Sequence, residues 1–344
     1  MRAGALRRLL AACGVEAPAE DWLRETLGTE EPSPGCSTLN HDGAPVQVCC
    51  SVGAGGERRR LVVDPGYACA DRWSRYHFGA ATLLRLAPPS LRDALTQLLE
   101  RAGPAAPAEL RRSPGGTLWL AGLPGQAGIA AYLDLGRAQD PWSIAARWLE
   151  EALPDPAPAQ EAIAALRPVG VPASVALEGS TPDDLRAKIY WRLGAPALLG
   201  RLGGGWYEDA IFAPFLRVLL GGRAVRLQGL VLGLGFSVAT GALADRKIDV
   251  CCCPACRPGD GKDRLAALEE AVGFDLLPLA ERLARPGVEP AFVGLGASRE
   301  GATRLNLYLA PAPGPRWRSD PAPGKSKGPK LESSGPFVGR GDWI

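Results

Sequence analysis

Arg186-Ala-Lys-Ile-Tyr-Trp-Arg-Leu193 alternates strictly between two kinds of side chain. Arg186, Lys188, Tyr190 and Arg192 fall on one side; Ala187, Ile189, Trp191 and Leu193 fall on the other. Successive side chains of a strand point to opposite faces, so this stretch is a strand with one cationic face and one apolar face. Alone, such a strand turns its polar side to water. Four other segments repeat the pattern. Thr303–Leu309 sets Arg304, Asn306 and Tyr308 against Leu305, Leu307 and Leu309; Asp245–Val250 sets Asp245, Lys247 and Asp249 against Ile248 and Val250. Gly128–Leu135 sets Ala130, Tyr132 and Asp134 against Ile129, Ala131, Leu133 and Leu135; Arg58–Asp64 sets Arg58, Arg60 and Asp64 against Leu61 and Val63. Lys188, Lys247 and Asn306 recur at an even interval of about 60 residues, which is a repeat signal.

The rest of the chain fits around these strands. Ala5–Cys13 and Glu20–Leu27 read as short helices, and Glu30–Ser37 is turn-rich. Ala44–Val52 is a strand with Gln47, Cys49 and Ser51 on one face, and Gly53–Gly56 turns it into Arg58–Asp64 as a hairpin. Helices are predicted over Cys69–Leu86 and Ser90–Ala102, the latter with Ser90 as N-cap after two prolines. Strands Thr117–Ala121 and Gly128–Leu135 follow. Asp140 caps a helix that has Pro141 at its first position and runs to Ala152, and Ala157–Leu166 is a second helix. Strands Val171–Glu178 and Arg186–Leu193, helices Ala195–Leu202 and Tyr207–Leu220, and strands Gln228–Val238 and Asp245–Cys252 come next. Helices Lys262–Val272 and Leu277–Leu283 and strands Pro290–Gly296 and Thr303–Leu309 complete the series.

Two helices and two antiparallel strands therefore recur five times, the first copy being irregular. The fold class is α+β. Ten antiparallel strands close into a barrel, which removes the sheet edges. The helices then cover the apolar strand faces from outside, and the polar faces line the lumen. The alternative is a two-layer α/β sandwich whose polar sheet face is wet. Residues 1–310 form one domain. Pro311–Ile344, rich in Pro, Gly, Ser and Lys, lacks the apolar area to order itself and reads as a disordered tail.

At 344 residues with a formal charge of +2, the chain has no basic footprint for nucleic acid. No signal peptide is evident, and the longest apolar run, Gly229–Ala242, is too short and glycine-broken to span a bilayer. The nine cysteines show no disulfide framework, which points to a reduced, cytoplasmic setting without a membrane partner. Cys253-Pro-Ala-Cys256 lacks a second pair for zinc, and two histidines, His41 and His77, are too few for a His-based metal site.

If the barrel closes, Arg60, Arg186, Lys188, Lys247 and Arg304 converge in its lumen. That is too much positive charge for an empty cavity, although Asp245 and Asp249 flank Lys247 and are able to neutralise it. An organic diphosphate balances such a set: arginine offers planar forks to phosphate oxygens and lysine a compact point charge. Tyr132, Tyr190 and Tyr308 are interleaved with the cations. Tyrosine is ordinary strand chemistry, but its ring face also attracts a cation, and a ring of such faces shelters an allylic carbocation from water.

The five ααββ units and the Arg-x-Lys-x-Tyr of Arg186, Lys188 and Tyr190 resemble the dimethylallyltryptophan synthase type of aromatic prenyltransferase, with its ABBA or PT barrel. Arg304, Asn306 and Tyr308 look like a variant of the same pattern. Leu39-Asn-His-Asp-Gly-Ala-Pro-Val-Gln47 is similar to the family's Asp-x-x-Pro-x-Glu strand, and Arg60-Leu-Val-Val-Asp64-Pro65 to its Arg-x-x-x-Glu-Pro strand. The resemblance implies transfer of a dimethylallyl group from dimethylallyl diphosphate to tryptophan, another indole or a tryptophan-bearing peptide. It implies that Arg60, Arg186, Lys188, Lys247 and Arg304 hold the diphosphate and that Tyr132, Tyr190 and Tyr308 shield the cation. No metal or other cofactor is required, magnesium being at most a stimulant. Two departures stand out. Gln47 replaces the family's Glu and orients a ring without taking a proton, which leaves Glu178 as a substitute base or a solvated strand end. Ala130 replaces a Lys two residues before Tyr132. The competing reading is a non-catalytic barrel that binds a charged ligand or a peptide.

Overall fold

The computed structural model describes residues 3–15, 18–28, 37–40, 43–66, 69, 71–112, 117–123, 126, 128–193, 210–220, 229–252, 261–273, 275–276 and 287–311. Helices α1 (Ala3–Ala12) and α2 (Pro18–Leu27) precede the hairpin β1 (Val46–Gly53) and β2 (Gly56–Val63). Helices α3 (Arg72–Leu86) and α4 (Arg92–Ala102) lead to β3 (Leu118–Gly122) and β4 (Ile129–Asp134). Helices α5 (Pro141–Ala152) and α6 (Ala157–Leu166) lead to β5 (Gly170–Gly179) and β6 (Arg186–Leu193). Helix α7 (Phe212–Leu220) precedes β7 (Leu230–Ser237) and β8 (Leu243–Cys251), and α8 (Gly261–Val272) precedes β9 (Val288–Ser298) and β10 (Thr303–Pro311). The expected helices Ala195–Leu202 and Leu277–Leu283 and the Cys253–Cys256 motif fall outside the described residues, as does His41. So does the tail beyond Pro311.

All ten strands pair antiparallel with their sequence neighbours, and β1 pairs with β10, so the sheet is a closed barrel. The closing register sets Cys49 against Tyr308 and Ser51 against Asn306. Hairpin turns use Gly56 (φ 84°) and Gly301 (φ 85°), in the left-handed region that only glycine enters without strain. The sandwich alternative is thereby excluded: a closed sheet has an inside.

Alternation then sorts the side chains. Val46, Val48, Cys50, Ile189, Trp191, Leu305, Leu307 and Leu309 join Leu9, Leu23, Leu83, Leu98, Trp148 and Phe215 of the helices in one continuous outer core. The residues between them in sequence point inward. The helical jacket is set by ordinary capping: the Asp71 and Asp140 carboxylates accept the backbone N–H of Ser74 and Ser143 at 2.9 and 3.1 Å. Asp71 starts α3 at Arg72, three residues later than its predicted start at Cys69. Ser90 is not an N-cap. Pro88 and Pro89 lead into a tight 3-10 turn over Pro89–Leu91, and α4 begins after it with no side-chain cap. Pro311, placed in the tail by composition, pairs with Val288 in the last strand.

No helix among the described residues is long and apolar enough to cross a membrane. No disulfide joins the six described cysteines to one another. Trp191 is almost fully buried between barrel and jacket. Trp191→Ala is expected to lower unfolding stability by about 3–5 kcal/mol, read as a lower urea midpoint at unchanged slope.

Candidate active site

The lumen has two adjoining compartments. At the hairpin end is a mouth of about 440 Å³, lined among others by Arg60, Ala130, Glu178, Arg186, Arg304 and Asn306. Below it is a chamber of about 90 Å³ whose lining includes Gln47, Trp119, Tyr132, Tyr190, Asp249 and Tyr308. Arg60 and Val62, Ala130 and Tyr132, and Asn306 and Tyr308 are successive inward positions on β2, β4 and β10. The first of each pair lines the mouth and the second the chamber.

Strand parity places four of the five predicted cations together. Glu178 on β5 faces three of them: Arg60 Nη1 at 2.7 Å, Lys188 Nζ at 2.7 Å and Arg186 Nη2 at 3.6 Å. Asp245 on β8 also faces three, Arg186 Nη1 at 2.5 Å, Lys188 Nζ at 3.1 Å and Arg304 Nη2 at 3.6 Å. Burial works to raise both carboxyl pKa values, but the surrounding cations outweigh it. Lys188, Arg60 and Arg186 hold Glu178 well below the ordinary carboxylate range, and Lys188, Arg186 and Arg304 lower Asp245. The four cations of this cluster against its two carboxylates leave it a net charge of +2. The lumen therefore carries less uncompensated charge than the cations alone imply. Glu178 serves here as a counter-charge and is not a solvated strand end; its depressed pKa and three cationic partners do not favour the role of substitute base.

Lys247 stands apart from the other four. Its ammonium pairs with Asp249 at 2.7 Å, donates a hydrogen bond to the Tyr308 hydroxyl, and lies 4.7 Å from the Tyr308 ring centroid. It lines the chamber and not the mouth. Lys188 and Lys247 occupy equivalent repeat positions, but each turns to its nearest carboxylate, and those lie in different compartments.

The three predicted tyrosines all face the chamber. Tyr132 and Tyr190 have ring centroids 5.9 Å apart, and Tyr308 meets Phe292 edge-on at 6.2 Å. Burial pushes their hydroxyl pKa values up, so the rings stay neutral. Trp119, the cross-strand neighbour of Tyr132, completes the aromatic wall with Phe292. Sequence reasoning missed both, although the alternation of Thr117–Ala121 and its pairing with β4 give the parity of Trp119. Gln47 donates both amide N–H bonds, to Leu39 O at 3.0 Å and Asn40 Oδ1 at 2.6 Å, and so offers a ligand only its carbonyl oxygen. Asp64, inward by parity, is buried at the wall, where it accepts from Ser37 Oγ at 2.6 Å and pairs with Arg75.

Glycines make room for this arrangement. A β-carbon on Gly233 would press on the Tyr190 ring at 2.8 Å, one on Gly235 on Lys188 Cε at 3.2 Å, and one on Gly296 on the Arg304 guanidinium at 3.3 Å. The functional side chains of β6 and β10 lie down across strands β7 and β9. Isolated glycines inside strands mark such close approaches. Among the described residues no cluster of three or more His, Cys, Asp or Glu is arranged to hold a metal ion. His77 lies outside the lumen on α3, its ring 4.4 Å from that of Trp73.

No family model matches the chain, and no curated protein matches it. Solved structures do. The 5-dimethylallyltryptophan synthase from Streptomyces coelicolor is 20% identical with a TM-score of 0.66, over 90% of this chain and 95% of that one. The 6-dimethylallyltryptophan synthase from Micromonospora olivasterospora, in complex with DMASPP and Trp, is 18% identical at TM-score 0.66, over 90% and 95%. The PriB binary complex with product diphosphate is 23% identical at TM-score 0.66, over 90% and 94%. At such identities the shared property is the fold, the ten-stranded barrel in its helical jacket.

Glu178 competes for the cations that an anionic ligand would use. Glu178→Gln is expected to tighten binding of inorganic diphosphate by about tenfold, the worth of one charge-assisted hydrogen bond. Titration calorimetry at fixed ionic strength reads this directly.

Proposed function

We propose that this chain is a prenyltransferase that moves a dimethylallyl group from dimethylallyl diphosphate to tryptophan or another indole, free or within a peptide. The observation that carries this reading is the junction of a cationic mouth with a chamber walled by tyrosines, in one lumen. The structural neighbours support it: their complexes hold a dimethylallyl diphosphate analogue, tryptophan or diphosphate.

In this reading the diphosphate sits in the mouth and the allylic tail points into the chamber. The bond between C1 of the dimethylallyl group and the bridging oxygen breaks, and its electron pair leaves on the diphosphate. Arg60, Arg186, Lys188 and Arg304 take up that developing charge, so no divalent metal is required. The ring faces of Tyr132, Tyr190 and Tyr308 stabilise the allylic cation and exclude water. The Gln47 carbonyl orients the acceptor by its N–H, the ring attacks C1, and a proton leaves. Ala130, lining the mouth where a lysine is expected, removes one phosphate contact. The chain would act in the cytoplasm on small-molecule substrates.

A non-catalytic barrel is the second reading. It is favoured by one observation: Glu178 and Asp245 each pair with lumen cations that would otherwise face a ligand. Incubation with dimethylallyl diphosphate and tryptophan, indole or tryptophan peptides in the presence of a chelator separates the two. Transfer predicts a product heavier by one dimethylallyl group, and Arg60→Ala should lower kcat/KM by about 100-fold, as loss of one preorganised charge contact to the leaving group does. Donor binding without any such product supports the binding barrel.

A further inference from the structure

The mechanism above leaves the departing proton without a destination. Gln47 cannot take it. Glu178 and Asp245 each face three cations. We propose that Asp249 on β8 is the proton acceptor of the reaction; this rests on the prenyl-transfer reading.

The carboxylate of Asp249 lines the aromatic chamber beside Tyr190, Phe292 and Tyr308. It is 7% exposed. Among the described residues its Oδ2 pairs with one cation, Lys247, and that ammonium is shared with the Tyr308 hydroxyl. Its Oδ1 is buried and has no hydrogen-bond partner among the described residues. An orphaned buried carboxylate oxygen is destabilising, and such a group persists where function uses it. Gly294 on the adjacent strand accommodates this oxygen: a β-carbon there would collide with Oδ1. Among the described residues, Asp249 is thus the chamber carboxylate with an oxygen left to bind a proton.

The step balances without a co-reactant. The aromatic ring gives two electrons to C1 of the dimethylallyl cation, forming the new bond. The cationic adduct then loses the proton from the attacked atom to Asp249, and the electrons of that bond restore the aromatic ring. Diphosphate has already left with the pair from the C1–O bond. Asp249 returns its proton to solvent as the product leaves.

The test compares wild type with Asp249→Asn, Asp249→Glu and Gly294→Ala, measuring both prenylated acceptor and dimethylallyl alcohol. Loss of the base leaves ionisation of the donor intact, so water captures the cation. Asp249→Asn is expected to lose about 100-fold in prenylated product, the usual worth of a positioned base. The ratio of alcohol to product should rise at unchanged affinity for a thiolo analogue of the donor, and Asp249→Glu should restore part of the transfer. Gly294→Ala keeps the carboxylate but displaces it, and should shift the same ratio in the same direction. A merely structural role would lower alcohol and product together and weaken analogue binding, and that outcome overturns the assignment. So does an Asp249→Asn protein that transfers within twofold of wild type. If wild type yields neither alcohol nor prenylated acceptor, the prenyl-transfer reading itself has failed.

Discussion

Pairing of β1 with β10 is the constraint on which the rest depends. An open sheet of this sequence would place one polar face in water, where its charges would be weakly coupled and unremarkable. Closure turns that face inward. Residues far apart in the chain, such as Arg60, Lys188 and Arg304, then converge on carboxylates from other strands. The apolar faces lose their solvent in the same event, because the helices fold back over them into one outer core. The fold is an inverted barrel, with its aliphatic packing outside and its polar groups within.

Burying this many charges is costly unless each is paired. Glu178 and Asp245 pair with the mouth cations, and Asp249 with Lys247. The internal carboxylates therefore neutralise part of the lumen's charge and leave a residual positive charge at its open end. In the proposed function, an incoming diphosphate would exchange with the internal carboxylates instead of filling an electrostatic void. The aromatic chamber has the opposite character: neutral rings at its walls, one lysine held by a carboxylate, and little room for water. In the proposed reaction, leaving-group chemistry and carbocation chemistry would fall at different depths of one tunnel, set by the successive inward positions of single strands.

Much of this was legible in the sequence, because strand alternation has a period of two and each hairpin carries it plainly. Arg186–Leu193 alone fixes which side chains share a face, and the even interval between Lys188, Lys247 and Asn306 gives the repeat. Side-chain direction was not legible. Lys247 occupies the same repeat position as Lys188 but turns to Asp249, since the nearest opposite charge decides where a flexible ammonium points. The counter-charge role of Glu178 depends on cross-lumen distances that no local pattern carries. Trp119 and Phe292 lie in strands whose apolar character hides an inward aromatic among outward aliphatics. Gly233, Gly235, Gly294 and Gly296 were a signal left unread: they alternate on the two strands flanking β8, where Tyr190, Lys188, Asp249 and Arg304 lie across them.

The central claim is that the inward cations and tyrosines form one site for an allylic diphosphate. A crystal structure of the protein with the thiolo analogue of dimethylallyl diphosphate tests it most directly. The account predicts phosphate oxygens among Arg60, Arg186, Lys188 and Arg304, with Glu178 or Asp245 displaced from at least one cation and the dimethylallyl tail between Tyr132, Tyr190 and Tyr308. An analogue bound on the outer surface, or a lumen that excludes it with every ion pair unchanged, would contradict the account.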